Sequence, residues 1–245
     1  MSLGEPAKQA RRDGGELAAV AKAKKPRRRR LSPAERARIA EIFRRFETTS
    51  PDPRTELAYK TPYTLLVSVV LSAQATDKSV NKATEKLYAV ASTPQQMIAL
   101  GEAGLTPYIA SIGLFRMKAK NVVALSRILV DAYGGEAPLE RAKLQALPGV
   151  GRKTASVVLN ELGVEPAIAV DTHVYRVAHR LGLSNGKTPD DVEHDLMAIV
   201  PDDAKSRAHH WLILHGRYTC LARKPRCAEC LVADLCPSRE LFLGA

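Results

Sequence analysis

The stretch LPGVGRKTASVVLNELG, residues 147–163, decides how this chain folds. Two glycines precede Lys153 and Thr154 at the start of an apolar run, a composition typical of sites that bind nucleotide phosphates. A Walker-type loop is excluded because Lys153 follows Arg152 rather than a glycine. A dinucleotide-binding turn is excluded because position 154 is a threonine and residues 138–147 have a helical pattern, not that of a strand. What remains is a helix, a tight turn and a second helix.

The tight turn Pro-Gly-Val-Gly offers another way to hold phosphate. Pro148 is expected to end the first helix, and Gly149 and Gly151 are expected to adopt backbone conformations closed to other residues. The bare N–H groups from Gly149 through Val150 to Arg152 would then face outward beside the N-terminus of the second helix, which suits an anion such as a polymer phosphate. An ordinary connection between two helices explains the same residues equally well.

The rest of the chain has the start and stop signals of helices. A hydroxyl residue followed by proline, a combination that caps a helix and suits its first position, recurs five times. The five pairs are Ser32-Pro33, Thr61-Pro62, Thr93-Pro94, Thr106-Pro107 and Thr188-Pro189. Glycines expected to end helices are Gly101, Gly113, Gly134 and Gly182. The run PYTLLVSVVLSA, residues 62–73, is apolar nearly all round and predicts a buried central helix, with a strand as the alternative. The pattern predicts an all-α protein of about ten short helices.

Composition and charge limit the class of protein. With 245 residues and 45% apolar residues, the chain can bury a substantial core. Much of the net charge of +11 lies in residues 1–30, which carry ten Lys and Arg against three acids and are expected to form a disordered basic tail. A solvating tail and non-specific contact with nucleic acid explain that tail equally well. No apolar run is long enough to span a membrane and no secretory segment is present, so we expect a soluble, intracellular protein.

All four cysteines fall within 17 residues near the C-terminus. Cys220, Cys227, Cys230 and Cys236 have the spacing C-x6-C-x2-C-x5-C. Disulfides are not expected in an intracellular chain, so the cluster of thiols indicates a metal site. Zinc and an iron–sulfur cluster are both compatible with four thiolates. The presence of a single C-x2-C pair favours the cluster only modestly.

The hairpin and the segment after it resemble the helix-hairpin-helix region of DNA base-excision glycosylases. LPGVGRKTA matches the hairpin, AIAVDTHVYRVAHRLGL continues the match, and Asp171 follows Lys153 by 18 residues, as the catalytic aspartate follows the catalytic lysine in that family. Further matches, such as LSAQATDKSVNKAT, YIASIGLFRMKAKNV and HHWLILHGRYTC, extend the resemblance to the endonuclease III family from about Ser32 onward. The cysteine spacing is the one that accompanies the [4Fe–4S] cluster of this family and of adenine glycosylases.

The resemblance implies two helical domains with a cleft between them that receives the damaged base. A six-helix barrel would span residues 55–165 and include the helix-hairpin-helix at 138–162. An iron–sulfur cluster domain would combine residues 31–54 with 166–245. The implied protein is a monomer that acts on double-stranded DNA in the bacterial cytoplasm, at the nucleoid. Its expected substrates are oxidised or ring-saturated pyrimidines and abasic sites.

The resemblance also implies a mechanism. Lys153, as a neutral amine, would attack the sugar C1′, expel the base and form an imine that permits β-elimination. Asp171 would stabilise the positive sugar, although a helix cap alone also explains this residue. Adenine glycosylases of the same fold lack the lysine and use water. A monofunctional glycosylase of that type and a non-catalytic DNA-binding module are therefore the alternatives.

The remaining site residues are also carried over from the family. Gln74 and Leu114 would fill the space that the flipped nucleotide leaves in the duplex. Asp77 and His173 would line the pocket, although Asp77 is equally explained as an N-cap. The expected contacts with the DNA backbone are the hairpin residues Gly149, Val150, Gly151 and Arg152 and the basic residues Arg223, Lys224 and Arg226 between the first two cysteines. The six histidines form no metal-binding set and are expected to be packing or surface residues.

Overall fold

The computed structural model describes residues 31–242, so the predicted basic tail at 1–30 lies outside it. The described part of the chain is helical throughout and contains no β-strand, which confirms the all-α prediction. Its helices are α1 (Pro33–Thr49), α2 (Pro62–Ser72), α3 (Asp77–Tyr88), α4 (Pro94–Ile109), α5 (Phe115–Tyr133), α6 (Arg141–Gln145), α7 (Arg152–Glu161), α8 (Thr172–Arg180), α9 (Pro189–Ile199) and α10 (Lys205–Tyr218). Within residues 31–242 no helix is long and apolar enough to cross a lipid bilayer.

Four of the five hydroxyl–proline pairs begin helices, as predicted. Ser32, Thr61, Thr93 and Thr188 are N-caps whose side chains accept a hydrogen bond from the backbone N–H three residues on. The fifth pair is a wrong prediction, because Thr106 and Pro107 lie inside α4. The chain instead turns at Gly101, where φ is +67° and the helix is kinked. The Thr106 hydroxyl bonds back to the Glu102 carbonyl at 2.7 Å, a pattern that competes with capping.

Among the expected helix-ending glycines, Gly113 is also a wrong prediction. Gly134 and Gly182 have the left-handed backbone expected after a helix, with φ of +62° and +64°. At Gly113 the residue with the left-handed backbone is not the glycine itself but Leu114, which follows it. Leu114 has φ of +60° and is the N-cap of α5.

The helices build two separate hydrophobic cores. The first surrounds α2, in which residues 63–71 are all buried, and is completed by α3 to α7. The second is formed by α1 together with α8, α9 and α10 and by Val232 near the C-terminus. The chain passes between the cores twice, between Phe46 and Leu57 and between Leu159 and Ile168. The domain boundaries at 54/55 and 165/166 lie in these connections and stay a prediction.

Candidate active site and DNA-binding surface

Lys153 and Asp171 lie at the N-termini of two helices. Gly151 is the N-cap of α7, which places Lys153 in the first turn of that helix. Asp171 is the N-cap of α8, and its Oδ1 accepts hydrogen bonds from the backbone N–H groups of His173 and Val174, each at 2.8 Å. These bonds fix the orientation of the carboxylate at the start of the helix.

One cleft of about 580 Å³ brings the two residues together. Gln74 and Asp77 from the first core and His173 from the second also line it. Five of the sequence-predicted site residues thus share a single cavity. It lies between the two cores, of which α7 helps to build the first and α8 the second. A pocket of this size is in the range of small-molecule sites and is large enough for a nucleotide.

Asp77 is not the N-cap of α3, contrary to one interpretation of the sequence. Thr76 takes that position, and its hydroxyl accepts a hydrogen bond from the Ser79 N–H at 3.2 Å. The carboxylate of Asp77 is therefore available for another partner, and its Oδ2 accepts a hydrogen bond from Arg217 Nη1 at 2.6 Å. Arg217 also forms an ion pair with Glu56.

Arg217 connects the two cores at the mouth of the cleft. It belongs to α10 in the second core, whereas Asp77 and Glu56 belong to the part of the chain that builds the first. Tyr218 donates a further hydrogen bond to Glu56. Together with His173 these four residues line a neighbouring cavity of about 640 Å³. The sequence analysis missed Arg217 because its role depends on residues 140 and more positions away.

His209 is the second cleft residue that the sequence analysis missed. It lies on α10, is only 4% exposed, and lines the same cleft as Lys153 and Asp171. Burial lowers the pKa of His209 to about 3, so the ring is neutral, and the nearby charges of His210, Asp171 and Lys153 have smaller effects. Nδ1 of the ring is buried without a hydrogen-bond partner. The sequence predicted a packing or surface histidine, which describes its burial but not its place in the cleft.

The two hairpin positions are occupied by glycine for different physical reasons. Gly149 has φ of +79°, and a Cβ there would lie 2.9 Å from the Asn121 side chain, so only glycine fits. Gly151 has φ of −87° and ψ of −179°, an extended conformation open to any residue, and a Cβ there would point into open space. The expectation that Gly151 needs a special conformation is therefore wrong. Because Gly151 has no side chain, the outer surface of the turn is uncovered.

The other two hairpin residues contribute differently. The side chain of Val150 is buried in the first core, and its backbone N–H donates to the Leu147 carbonyl at 3.1 Å, so the expectation that this N–H is bare is wrong. Arg152 is half exposed and forms ion pairs with Asp190 at 3.4 Å and Glu193 at 3.2 Å, both on α9. Its guanidinium is thus held beside the turn.

Three predicted DNA contacts share an unusual backbone. Within residues 31–242, the non-glycine residues with positive φ are Gln74 at 54°, Leu114 at 60° and Lys224 at 51°. A left-handed conformation costs an L-residue about 1–2 kcal/mol, and such strain is concentrated at functional sites. Leu114 is 48% exposed although it is a large apolar residue. Arg223, Lys224 and Arg226 are exposed as well.

The four cysteines line one cavity, together with Arg180 and His215. Nη1 of Arg180 lies 3.4 Å from Cys220 Sγ, and Nε2 of His215 lies 3.7 Å from Cys230 Sγ. Burial raises the pKa of Cys230 to about 11, so a thiolate there requires cationic partners. No group of three or more His, Cys, Asp or Glu in residues 31–242 converges closely enough to hold a single metal ion. Four half-buried cysteines around a shared cavity fit a larger, multinuclear group with hydrogen bonds to its ligands.

Comparison with known proteins now gives the lineage. The model of the HhH-GPD superfamily of base excision DNA repair proteins matches residues 67–202. Endonuclease III of Escherichia coli K12 is 53% identical over 205 residues, which are 84% of this chain and 97% of that protein. The chain belongs to the endonuclease III family. It is accordingly a base-excision repair enzyme, a DNA glycosylase and AP lyase that binds DNA.

Two further comparisons concern the iron–sulfur region and the fold. The model of the iron–sulfur binding domain of endonuclease III matches residues 220–236, which begin and end at the outer cysteines, and the cofactor of the family is a [4Fe–4S] cluster. A trapped endonuclease III–DNA covalent intermediate has a TM-score of 0.80 and 42% identity, over 87% of this chain and 100% of that one. A non-covalent endonuclease III–DNA complex has a TM-score of 0.81 and 41% identity, over 88% and 100%.

Proposed function

We propose that Lys153 is the nucleophile and Asp171 the stabilising carboxylate of the family reaction in this protein. The observation that carries the proposal is their meeting in one cleft, each fixed at a helix N-terminus. The family relationship supports it further, since one solved relative is a covalent intermediate with DNA.

The chemistry that Lys153 performs is an amine displacement. The neutral Nζ attacks C1′, the glycosidic C1′–N bond breaks, and the base departs with the bonding electrons and a proton. The nitrogen gives one proton to the departing base and a second to O4′ as the C1′–O4′ bond breaks, which leaves an imine between C1′ and Nζ and a hydroxyl at C4′. Removal of a proton from C2′ then expels the 3′ phosphate by β-elimination. The positive charge that develops on the sugar lies opposite the ionised Asp171, which stabilises it.

The substrate is a nucleotide flipped out of duplex DNA, since Lys153 and Asp171 lie in a cleft that a base stacked in the duplex cannot enter. The proposed bases are oxidised or ring-saturated pyrimidines. Gln74 and Leu114, both of which have a left-handed backbone, fill the vacated space in the duplex. Asp77 and His173 line the pocket wall. One chain supplies all these groups, so the protein acts as a monomer, at the bacterial nucleoid.

The DNA backbone is held at two places. The first is the hairpin turn, where Gly149 and Gly151 offer backbone N–H groups and Arg152 a guanidinium. The second is the exposed basic loop of Arg223, Lys224 and Arg226. The loop runs from Cys220 to Cys227, so its shape depends on the cluster that these cysteines would hold.

The four cysteines Cys220, Cys227, Cys230 and Cys236 would hold the [4Fe–4S] cluster. When bound, the cluster supplies a rigid crosslink between the end of α10 and the C-terminal segment. The guanidinium of Arg180 links α8 to the segment after α10, because it donates to the Leu221 carbonyl at 2.7 Å and lies 3.4 Å from Cys220 Sγ.

Borohydride trapping tests the proposal. The enzyme is incubated with duplex DNA that carries either an abasic site or thymine glycol, with sodium borohydride present. The wild type is expected to give a covalent complex that Lys153→Ala does not give. Glycosylase activity without trapping would show the monofunctional alternative, and loss of both activities in the wild type would leave only a DNA-binding module.

A further inference from the structure

His209 is a buried polar group of the cleft that the reaction described above does not use. Within residues 31–242, the buried side-chain nitrogens that lack a hydrogen-bond partner belong to Lys118, His209 and Arg239. Of the three, only His209 lines the cleft of Lys153 and Asp171. Its neighbour His210 differs, because His210 Nε2 lies 3.1 Å from a Glu161 oxygen and so has a polar partner.

The surroundings fix the tautomer of His209. The backbone of Ala169 favours a protonated ring nitrogen, although less strongly than burial opposes it. Since Nδ1 has no partner, we assign this interaction, and the N–H of the neutral ring, to Nε2. The neutral ring therefore presents a lone pair on Nδ1. A buried acceptor without a partner costs about 1–3 kcal/mol, which the protein recovers only if a donor arrives.

The charged groups of the cleft indicate which of them can donate a hydrogen bond to His209 Nδ1. Lys153, Asp171 and His209 line the same cleft, and the charges of the first two act on the His209 ring. The ionised Asp171 carboxylate has no proton to donate, and its Oδ1 already accepts two backbone N–H groups. The Lys153 amine carries the N–H bonds that Nδ1 lacks.

We propose that His209 is a positioning residue for Lys153: its Nδ1 lone pair accepts a hydrogen bond from the Lys153 amine, directly or through one water, when DNA closes the cleft. A neutral amine has two N–H bonds and one lone pair, so donating one N–H to His209 restricts where the lone pair points. An uncharged ring performs this role without adding a positive charge beside the lysine. The inference rests on the proposed role of Lys153.

Two substitutions separate the two sides of the ring. His209→Gln places an amide near Nε2, so it can keep the bond to Ala169 but loses the acceptor at Nδ1. His209→Asn places an amide oxygen near Nδ1, so it can keep the acceptor but loses the bond to Ala169. Each variant is compared with the wild type in melting temperature, in affinity for duplex DNA with a tetrahydrofuran abasic analogue, and in single-turnover rate of borohydride trapping on abasic DNA.

We expect His209→Gln to melt and bind like the wild type but to be trapped about tenfold more slowly, the effect of one lost hydrogen bond. His209→Asn should be trapped faster than His209→Gln, even if it melts lower. The inference is overturned if His209→Gln is trapped at the wild-type rate, or if His209→Asn is no faster than His209→Gln. The wild type and Lys153→Ala are run in parallel. Absence of trapping in the wild type would count against the role of Lys153 itself, which keeps the two failures distinct.

Discussion

At Asp171 one carboxylate both caps a helix and faces the cleft, and a suitable substitution separates these roles. Asparagine caps helices as well as aspartate does, so Asp171→Asn keeps the start of α8 but removes the charge. We expect the single-turnover rate of base excision to fall about 100-fold or more, because the positive sugar loses its counter-charge. The dissociation constant for DNA with an abasic analogue should stay within about threefold of the wild type. A parallel loss of DNA affinity and melting temperature would show that the residue is mainly structural.

Lys118 is a buried residue whose charge the fold does not compensate. It is 4% exposed, its Nζ has no hydrogen-bond partner, and burial lowers its pKa. Lys118→Met should therefore stabilise the protein at pH 7, by about 1–3 kcal/mol or roughly 2–12 °C in melting temperature. Because the pKa is lower in the folded than in the unfolded state, the destabilisation is greatest below the folded pKa and disappears as pH rises past about 10.4. Calorimetric melts at pH 7 and near pH 10 should show the gain shrinking. A gain independent of pH would contradict the electrostatic explanation.

At the scale of the element, the hairpin turn offers a matched pair of substitutions. Gly149→Ala forces a side chain into a left-handed backbone and against Asn121, so we expect a loss of about 1–3 kcal/mol in stability. Gly151→Ala fits its extended backbone and open surroundings, so its melting temperature should match the wild type. Both should bind DNA more weakly, Gly151→Ala because a methyl group then covers the bare surface of the turn. Undiminished DNA affinity in Gly151→Ala would mean that the turn does not approach the backbone.

The basic loop is a second element with a measurable signature. Each cation that contacts a phosphate releases counterions, which contributes about 0.9 to the slope of log affinity against log salt concentration. Replacing Arg223, Lys224 and Arg226 singly by glutamine should lower this slope by about that amount for each true contact. Arg44, an exposed arginine of α1 that forms an ion pair with Glu41, serves as the control. A loop that is only solvated would leave the slope at the wild-type value.

At the scale of the whole molecule, the sequence predicted features that depend on local chemistry. The four correct helix starts, the buried helix α2 and the cap at Asp171 all follow from residues within one or two turns of each other. Thr106-Pro107 shows the limit of this reasoning, because the same pair that caps elsewhere lies inside a helix that begins again after Gly101.

Features that arise between the two cores could not be predicted in this way. Arg217 joins Asp77 and Glu56 across the cleft, and His209 lies beside Lys153, although each residue is far along the chain from its partners. Leu114 rather than Gly113 takes the left-handed backbone, at the junction of α4 and α5, two helices that pack against each other. The assignment of site residues therefore relied on family resemblance where spacing alone left several explanations open.

The proposed reaction requires that Nζ of Lys153 bonds to the sugar C1′ of a flipped nucleotide. Tandem mass spectrometry of the borohydride-trapped complex, after digestion with protease and nuclease, measures this bond directly. We expect the sugar adduct to lie on Lys153, within the peptide that contains it, and on no other lysine. An adduct on a different lysine or on the N-terminal amine, with Lys153 unmodified, would contradict it.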